Sequence, residues 1–430
     1  MPVRLHTADP NFQTKFETFV TIKRDEEANV DVIAASIIDA VRQDGDVAVA
    51  KFTSKFDRIL LSPEEFRLAP ERITLAAQEC VSETIDALKT AAMRIRSFHQ
   101  TQVPEPLEYE DKDGVRLGAR WTPLEAVGLY VPGGTAAYPS SVLMSAIPAK
   151  VAGVDRIVMM VPTPDGIVNP VVLAAAHIAG IEEIYCIGGA QAVAALAYGT
   201  ETVRPVDKII GPGNAYVAAA KRRVFGDVGI DLIAGPSEIL VVADAKNKPD
   251  WIAIDLLSQA EHDIAAQSVL ITDSTDFADQ VTAAVEEKLR LLPRSQIATK
   301  SWQDQGAVIV VENLKEAVPI IDSIAPEHLE LAIDAPEQLA SKIRHAGAIF
   351  LGRYTPEAIG DYVAGPNHVL PTSRTARFSS GLGVLDFMKR TTYAACDKES
   401  LRRIGPTAVT LAKAEGLDAH ALSVSLRLDS

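Results

Sequence analysis

Apolar positions along the chain fall into two textures. From Asp31 to His99 they recur at helical spacing, with Ile33, Ile37 and Val41 on one stripe and Ile73, Ala77, Cys80, Ala87, Ala91, Ile95 and Phe98 on a longer one. This periodicity predicts two helices. From residue 126 onward, short β-branched runs alternate with Ala- and Val-rich helical stretches. One series is Ala126–Val131, Arg156–Val161, Glu183–Ile187 and Lys208–Ile210; a second is Ile239–Val242, Ser268–Ile271, Val308–Val311 and Ala348–Leu351. Strand–helix alternation predicts right-handed crossovers and parallel sheets covered on both faces. The expected fold is therefore α/β, with two Rossmann-like parallel-sheet units whose ligands collect at the carboxyl ends of the strands. Residues 1–30 read as a polar arm, and the proline- and charge-rich stretch from Val103 to Trp121 as a connector or hairpin. From about Ser380 the pattern dissolves into a helical tail that ends in Ala414–Leu426. The expected division is 31–125 with 236–380 as one unit, 126–235 as the other, and 381–430 as a tail reaching out of its own globule.

Length and composition narrow the function. At 430 residues, 47% of them hydrophobic, the chain supports more than one core. A net charge of −15 argues against a nucleic-acid partner, because a phosphate backbone demands a basic face. No apolar run approaches the roughly 20 residues that span a bilayer, and the N-terminus lacks a basic-then-apolar signal pattern, so the expected location is the cytoplasm. Cys80, Cys186 and Cys396 are far apart and odd in number, which excludes a disulfide framework or a thiolate zinc knuckle. None has neighbours that would mark it as a nucleophile.

Candidate chemistry gathers in a few segments. Leu257–His262 ends a helix-patterned stretch, and Gln259 and His262 stand three residues apart, on one face if the helix continues. The pair is either a hydrogen-bonded polar helix end or half of a metal site, and a Gln ligand is unusual for zinc. Asp361, in a Gly-Asp-Tyr turn, and His420, on the C-terminal helix, offer further donors. Glu327-His328 follows Pro326 and reads either as a helix start or as a carboxylate and imidazole set side by side for acid–base work. A dinucleotide fingerprint is incomplete: Gly211-Pro212-Gly213 has two glycines, but Tyr216 stands where the third belongs. Gly133-Gly134 and Gly188-Gly189 also follow strands, and these turns either merely reverse the chain or let backbone approach a ligand.

Seven segments in order resemble the histidinol dehydrogenase family. They are Leu129–Gly134, Gly211–Asn214, Ala234–Glu238, Leu257–His262, Ala325–Leu329, Gly360–Tyr362 with Gly365–Thr372, and Glu415–His420. The resemblance implies an aldehyde-dehydrogenase-like arrangement of the two units and oxidation of L-histidinol to L-histidine through histidinal, with two NAD reduced on one zinc site. It implies zinc held by Gln259, His262, Asp361 and His420, the last supplied by the tail of the partner in a homodimer. Substrate contacts would come from Ser237, His328, His368 and Glu415 together with the zinc ligands, and NAD contacts from Tyr130, Gln191 and Asn214. With no suitable thiol in the chain, Glu327 would activate water to hydrate the aldehyde, and His328 would take the proton in each oxidation. Two other readings are a zinc hydrolase, which leaves the glycine turns unused, and a binding protein descended from an enzyme. The nearest alternative is a paralogue acting on another small alcohol, such as a sulfonated diol.

Overall fold

A computed structural model describes residues 1–21, 28–132 and 138–429. Among them the chain forms two parallel sheets and one antiparallel sheet. All eight strands of the two predicted series are present; most are nearly continuous apolar runs buried on both faces, while the edge strand Ala348–Leu351 leaves Ile349 and Leu351 exposed. The first parallel sheet is built from Ala126–Tyr130, flanked on one side by Arg156–Met160 and Glu183–Tyr185 and on the other by Lys208–Ile210 and Gly229–Ile230. The second is built from Glu238–Ala243, with Gln267–Thr272 and Ala307–Val310 on one side and His328–Ala332 and Ala348–Leu351 on the other. Both wind outward in two directions from their first strand, which opens a crevice where the winding reverses.

The N-terminal residues do not form a free arm. Val3–His6 adds an edge strand to the second sheet, in parallel register with Ala307–Val310. The helix Phe12–Thr21 behind it buries Phe16 and Phe19 against Ile309 and Ile320 of that unit's core. Charged residues on either side hid two short apolar patterns that gain their partner only from a strand some 300 residues away in sequence.

The helices within residues 28–100 pack on the first sheet's unit rather than on the second. The helical segment Ala28–Asp57, broken by a kink at Gly45 (φ 52°, ψ −130°), packs Ile37, Ile38, Val41 and Val49 onto Val193, Leu196 and Val217 of the first sheet's helices. The second predicted helix is two, Pro70–Glu79 and Ser82–Gln100, because Cys80 and Val81 are extended. That break resets the stripe, so Leu88 rather than Ala87 is buried, alongside Ile73, Ala92 and Ile95, in the core formed with Leu173 and Ile147. Apolar periodicity defines which face of a helix is buried; it carries no information about which sheet receives that face.

Between the units, the expected hairpin is present as Leu107–Glu110 and Arg116–Pro123. It pairs along its whole second strand with Met388–Ala395, a strand inside the segment read as purely helical tail. The helices Lys398–Ala414 and Asp418–Leu428 follow, packed on each other where Gly405 meets Val424 and Leu428. Leu411, Leu417, Leu422 and Leu426 remain exposed.

Candidate active site

The strand His328–Ala332 is another element that sequence periodicity missed, and it carries the chemistry. Glu327-His328 opens a strand, not a helix: Ala325 ends the preceding helix in the left-handed conformation, and the chain then enters the sheet between Glu238–Ala243 and Ala348–Leu351. Close packing fixes the entry, since a Cβ on Gly347 would lie 2.5 Å from the Glu327 carbonyl oxygen. Phe350 stacks at 6.1 Å on the His328 ring and fills the space where Gly360 has no side chain.

His328 Nδ1 lies 3.0 Å from the Glu238 carbonyl, which can only accept, so Nδ1 carries the proton. Its Nε2 has no hydrogen-bond partner and faces Glu357 Oε1 and Asp361 Oδ1, each at 3.7 Å. Glu327 lies on the other flank, its Oε2 3.7 Å from His328 Nδ1 and accepting from the Glu238 amide at 2.9 Å. His328, Glu357 and Asp361 could together hold a metal ion.

Asp361 stands on the short helix Glu357–Tyr362 rather than in a simple turn. Its carbonyl binds His368 Nδ1 at 2.9 Å, and Ser141 meets the other nitrogen of that ring at 3.2 Å. Gln259 lies in the last turn of the helix Pro249–Ala260; His262 lies just past it, its amide bonded to the Gln259 carbonyl at 3.1 Å. The Gln259 side chain is 1% exposed, and both its polar atoms lack a partner. An amide orphaned in this way costs about 1–3 kcal/mol, which marks it as awaiting a ligand. Ser237 directly precedes the strand that begins at Glu238.

Burial and crowding set the charges. Burial pushes the Glu327 carboxyl up to about 7, against the lowering effect of His328. Burial opposes the charged form of His328, but Glu327, Asp361 and Glu357 outweigh it and raise the ring to about 10. Burial, then the charge of Asp361, lifts Glu357 to about 8. Although burial opposes it, Asp361 is held well below the usual carboxylate range by the His328 ring 3.7 Å away and by the neighbouring His368. His262 is exposed at one edge, yet the protein around its ring lowers its pKa, favouring the neutral form a ligand needs.

Three acids here were missed. Glu357 precedes Asp361 by four residues on one helix, Glu330 shares a strand face with His328, and Asp255 precedes Gln259 by four residues. Each spacing was readable once the element type was known. Glu330 accepts from the Glu357 amide, and Ser258 reaches Glu357 Oε2 at 3.4 Å.

This cluster also corrects the expected location. Glu327, His328, Ser237 and Gln259 lie where the second sheet's strands begin, not where they end. At the carboxyl end the crevice is closed by Arg353, which forks onto Asp244 at 2.6 Å and reaches Asp334 at 2.7 Å.

The first sheet does keep its open edge at the carboxyl ends. Tyr130 ends the central strand, and its hydroxyl accepts from the Gly189 amide at 3.0 Å; burial pushes its pKa up to about 12. Gln191 is 1% exposed with both polar atoms unpartnered. Asn214 caps the helix Ala215–Val224, its Oδ1 accepting from Tyr216 and Val217. Gly211, at φ +106°, sits against the Tyr130 carbonyl where any Cβ would collide. Gly133 and Gly134 lie outside the described residues.

The Gly211 turn is pinned from below. Lys221 donates to the Gly211 carbonyl at 2.9 Å and pairs with Asp231, which accepts from the Gly211 amide at 2.7 Å. Both side chains of the ion pair are 2% exposed. Lys221→Met should lower unfolding stability by about 3–5 kcal/mol, because it strands a buried carboxylate. Urea unfolding measures this, and an unchanged midpoint would count against the assignment.

The tail residues Glu415 and His420 are exposed and lie outside the His328 cluster. Cys186 is buried, and burial pushes its thiol up to about 11.

Residues 21–428 match the family model described as histidinol dehydrogenase. The chain belongs to the histidinol dehydrogenase family. It is 61% identical to the histidinol dehydrogenase of Rhodospirillum rubrum, covering 100% of this chain and 99% of that one. It is 58% identical to that of Gluconobacter oxydans, with 99% of each covered. The crystal structure of histidinol dehydrogenase from Elizabethkingia anophelis superposes with a TM-score of 0.95 at 36% identity, over 100% of this chain and 98% of that one. Among the described residues no helix is long and apolar enough to cross a membrane.

Proposed function

We propose that this chain oxidises L-histidinol to L-histidine through histidinal in histidine biosynthesis, with NAD and one zinc ion per site. The observation that carries the reading is the buried convergence of Glu327, His328 and Asp361, together with the orphaned amide of Gln259, whose chain neighbour Ser258 reaches Glu357 of the same cluster. Gln259, His262 and Asp361 fit a dication: they offer an unpartnered amide oxygen, a ring favoured neutral and a carboxylate held ionised. When bound, zinc would fix the imidazole and amine of the substrate and raise effective molarity. NAD would take up the hydride of each oxidation.

The chain's own residues handle the protons. With Nδ1–H anchored on the Glu238 carbonyl, His328 Nε2 would accept the proton of the alcohol once a cation held by Asp361 neutralises one of the carboxylates that keep the ring protonated. Glu327, on the opposite flank, takes a proton from water as that water adds to the aldehyde. His328 then removes a proton from the resulting gem-diol. Ser237, His368 and Glu415 complete the substrate contacts, and Tyr130, Gln191 and Asn214 line the NAD edge. The buried, unpaired amide of Gln191 supports the last assignment.

The fourth ligand, His420, and Glu415 would come from the partner in a homodimer with exchanged tails. Support comes from their exposure here and from the unpartnered Leu417, Leu422 and Leu426 beside them.

Incubation of the purified chain with zinc, NAD and histidinol should yield two NADH per histidine formed. A sulfonated diol should give none. Chelation should abolish turnover while circular dichroism stays unchanged, since the ligands sit on elements held by their own cores. Full activity in a sample shown metal-free by atomic absorption would defeat the zinc assignment, and absence of NADH from histidinol would defeat the function.

A further inference from the structure

In a sheet wound like the first one, the carboxyl end of the strand beside the central strand is where an acidic side chain meets the adenosine ribose of a dinucleotide. That neighbour here is Arg156–Met160, and the chain continues Val161-Pro162-Thr163-Pro164-Asp165. Asp165 is the local acid, but it is exposed and engaged. Its carboxylate takes both arms of Arg58, at 2.8 and 2.5 Å.

A different acid occupies the edge. Asp57, the last residue of the long helix Ala28–Asp57, is 6% exposed, and its Oδ2 accepts from the Thr163 amide at 3.4 Å. This long bond is the one it accepts among the described residues. The Thr163 contact places it at the carboxyl end of the strand Arg156–Met160, where its charge also reaches Tyr130 and Cys186. Thr163 Oγ1 and both polar atoms of Gln191 are buried at the same edge without partners. Burial raises the Asp57 pKa, as expected of a carboxyl short of donors.

We infer that Asp57 recognises the adenosine ribose of the dinucleotide and sets a preference for NAD over NADP. The inference rests on the NAD reading above. A carboxylate accepts the 2′-hydroxyl proton and repels a 2′-phosphate. The nearest cation in sequence, Arg58, is paired with Asp165, and its charge favours the ionised form of the Asp57 carboxylate. The acid comes from a helix end 106 residues before Thr163 rather than from the end of the strand itself.

The test is calorimetric binding to the full zinc-loaded chain, with NAD, NADP and NAD lacking the adenosine 2′-hydroxyl as probes. Wild type should bind the deoxy probe and NADP at least about tenfold more weakly than NAD, the scale of a lost charge-assisted hydrogen bond. Asp57→Asn keeps an acceptor for the Thr163 amide, so the loop stays pinned. It should weaken NAD by about tenfold to a hundredfold, bring NADP close to NAD, and become indifferent to the missing hydroxyl. If wild type binds all three probes alike, or if the variant keeps the full NAD:NADP ratio, Asp57 has no part in ribose recognition. A wild-type chain that binds no dinucleotide would instead overturn the NAD reading itself. The deoxy probe on wild type needs no mutant and so tests the idea even if the variant folds poorly.

Discussion

Replacing His328 with Asn should slow oxidation of both histidinol and histidinal by about 10²- to 10⁴-fold, the range for loss of a positioned general base. The ring is buried and locked, with Nδ1 on the Glu238 carbonyl and Phe350 against its face, so a carboxamide keeps the volume but cannot take the proton. Glu327→Gln should separate the two steps. Its carboxylate is the group placed to activate water, and water enters only after the aldehyde exists. Histidinal oxidation should therefore fall far more than histidinol oxidation, as single-turnover kinetics on each substrate would reveal. Equal losses on both substrates would remove Glu327 from water activation.

Recovery of activity from two dead variants is the second large expected effect. If His262 and His420 are ligands as proposed, His262→Ala and His420→Ala chains should each be inactive alone, for each would lack a ligand at every site. If the tail is exchanged, a mixed dimer holds one intact site and one doubly damaged site. Random reassembly then restores up to about a quarter of normal activity, because half the dimers are mixed and half of their sites are whole. The geometry favours this outcome. The tail leaves the body through the strand Met388–Ala395, which is held along its whole length by Arg116–Pro123, and its two helices then carry Glu415 and His420 outward with exposed leucines beside them. Should native mass spectrometry confirm heterodimers and no activity return, the site must be built within one chain.

The parallel strands were legible because burial on both faces demands unbroken apolar runs, and Glu238–Ala243 or Gln267–Thr272 can hardly be read otherwise. His328–Ala332 escaped the same reading. It interleaves His328 and Glu330 with Leu329 and Leu331, and so hides a fully buried strand behind polar letters. Function displaced the hydrophobic signal at the one strand that mattered most, and the price was a missed element. The identities of Gln259, His262, Asp361 and His420 stood out as donor types, but no spacing along the chain could join them.

The sequence by itself determined the α/β class, the central strands, the absence of a reactive thiol and the family, because local burial and side-chain chemistry are written residue by residue. Tertiary structure alone decided three further things. Val3–His6 became an edge strand because it pairs with Ala307–Val310, and residues 28–100 joined the first sheet because its helices receive their apolar faces. The cluster formed at the amino ends of the second sheet because Arg353 closes the carboxyl ends, while Pro326 and Gly347 bring Glu327 and His328 in beside Glu238. Those outcomes depend on contacts between segments tens to hundreds of residues apart, and periodicity within a segment carries no record of its distant partner.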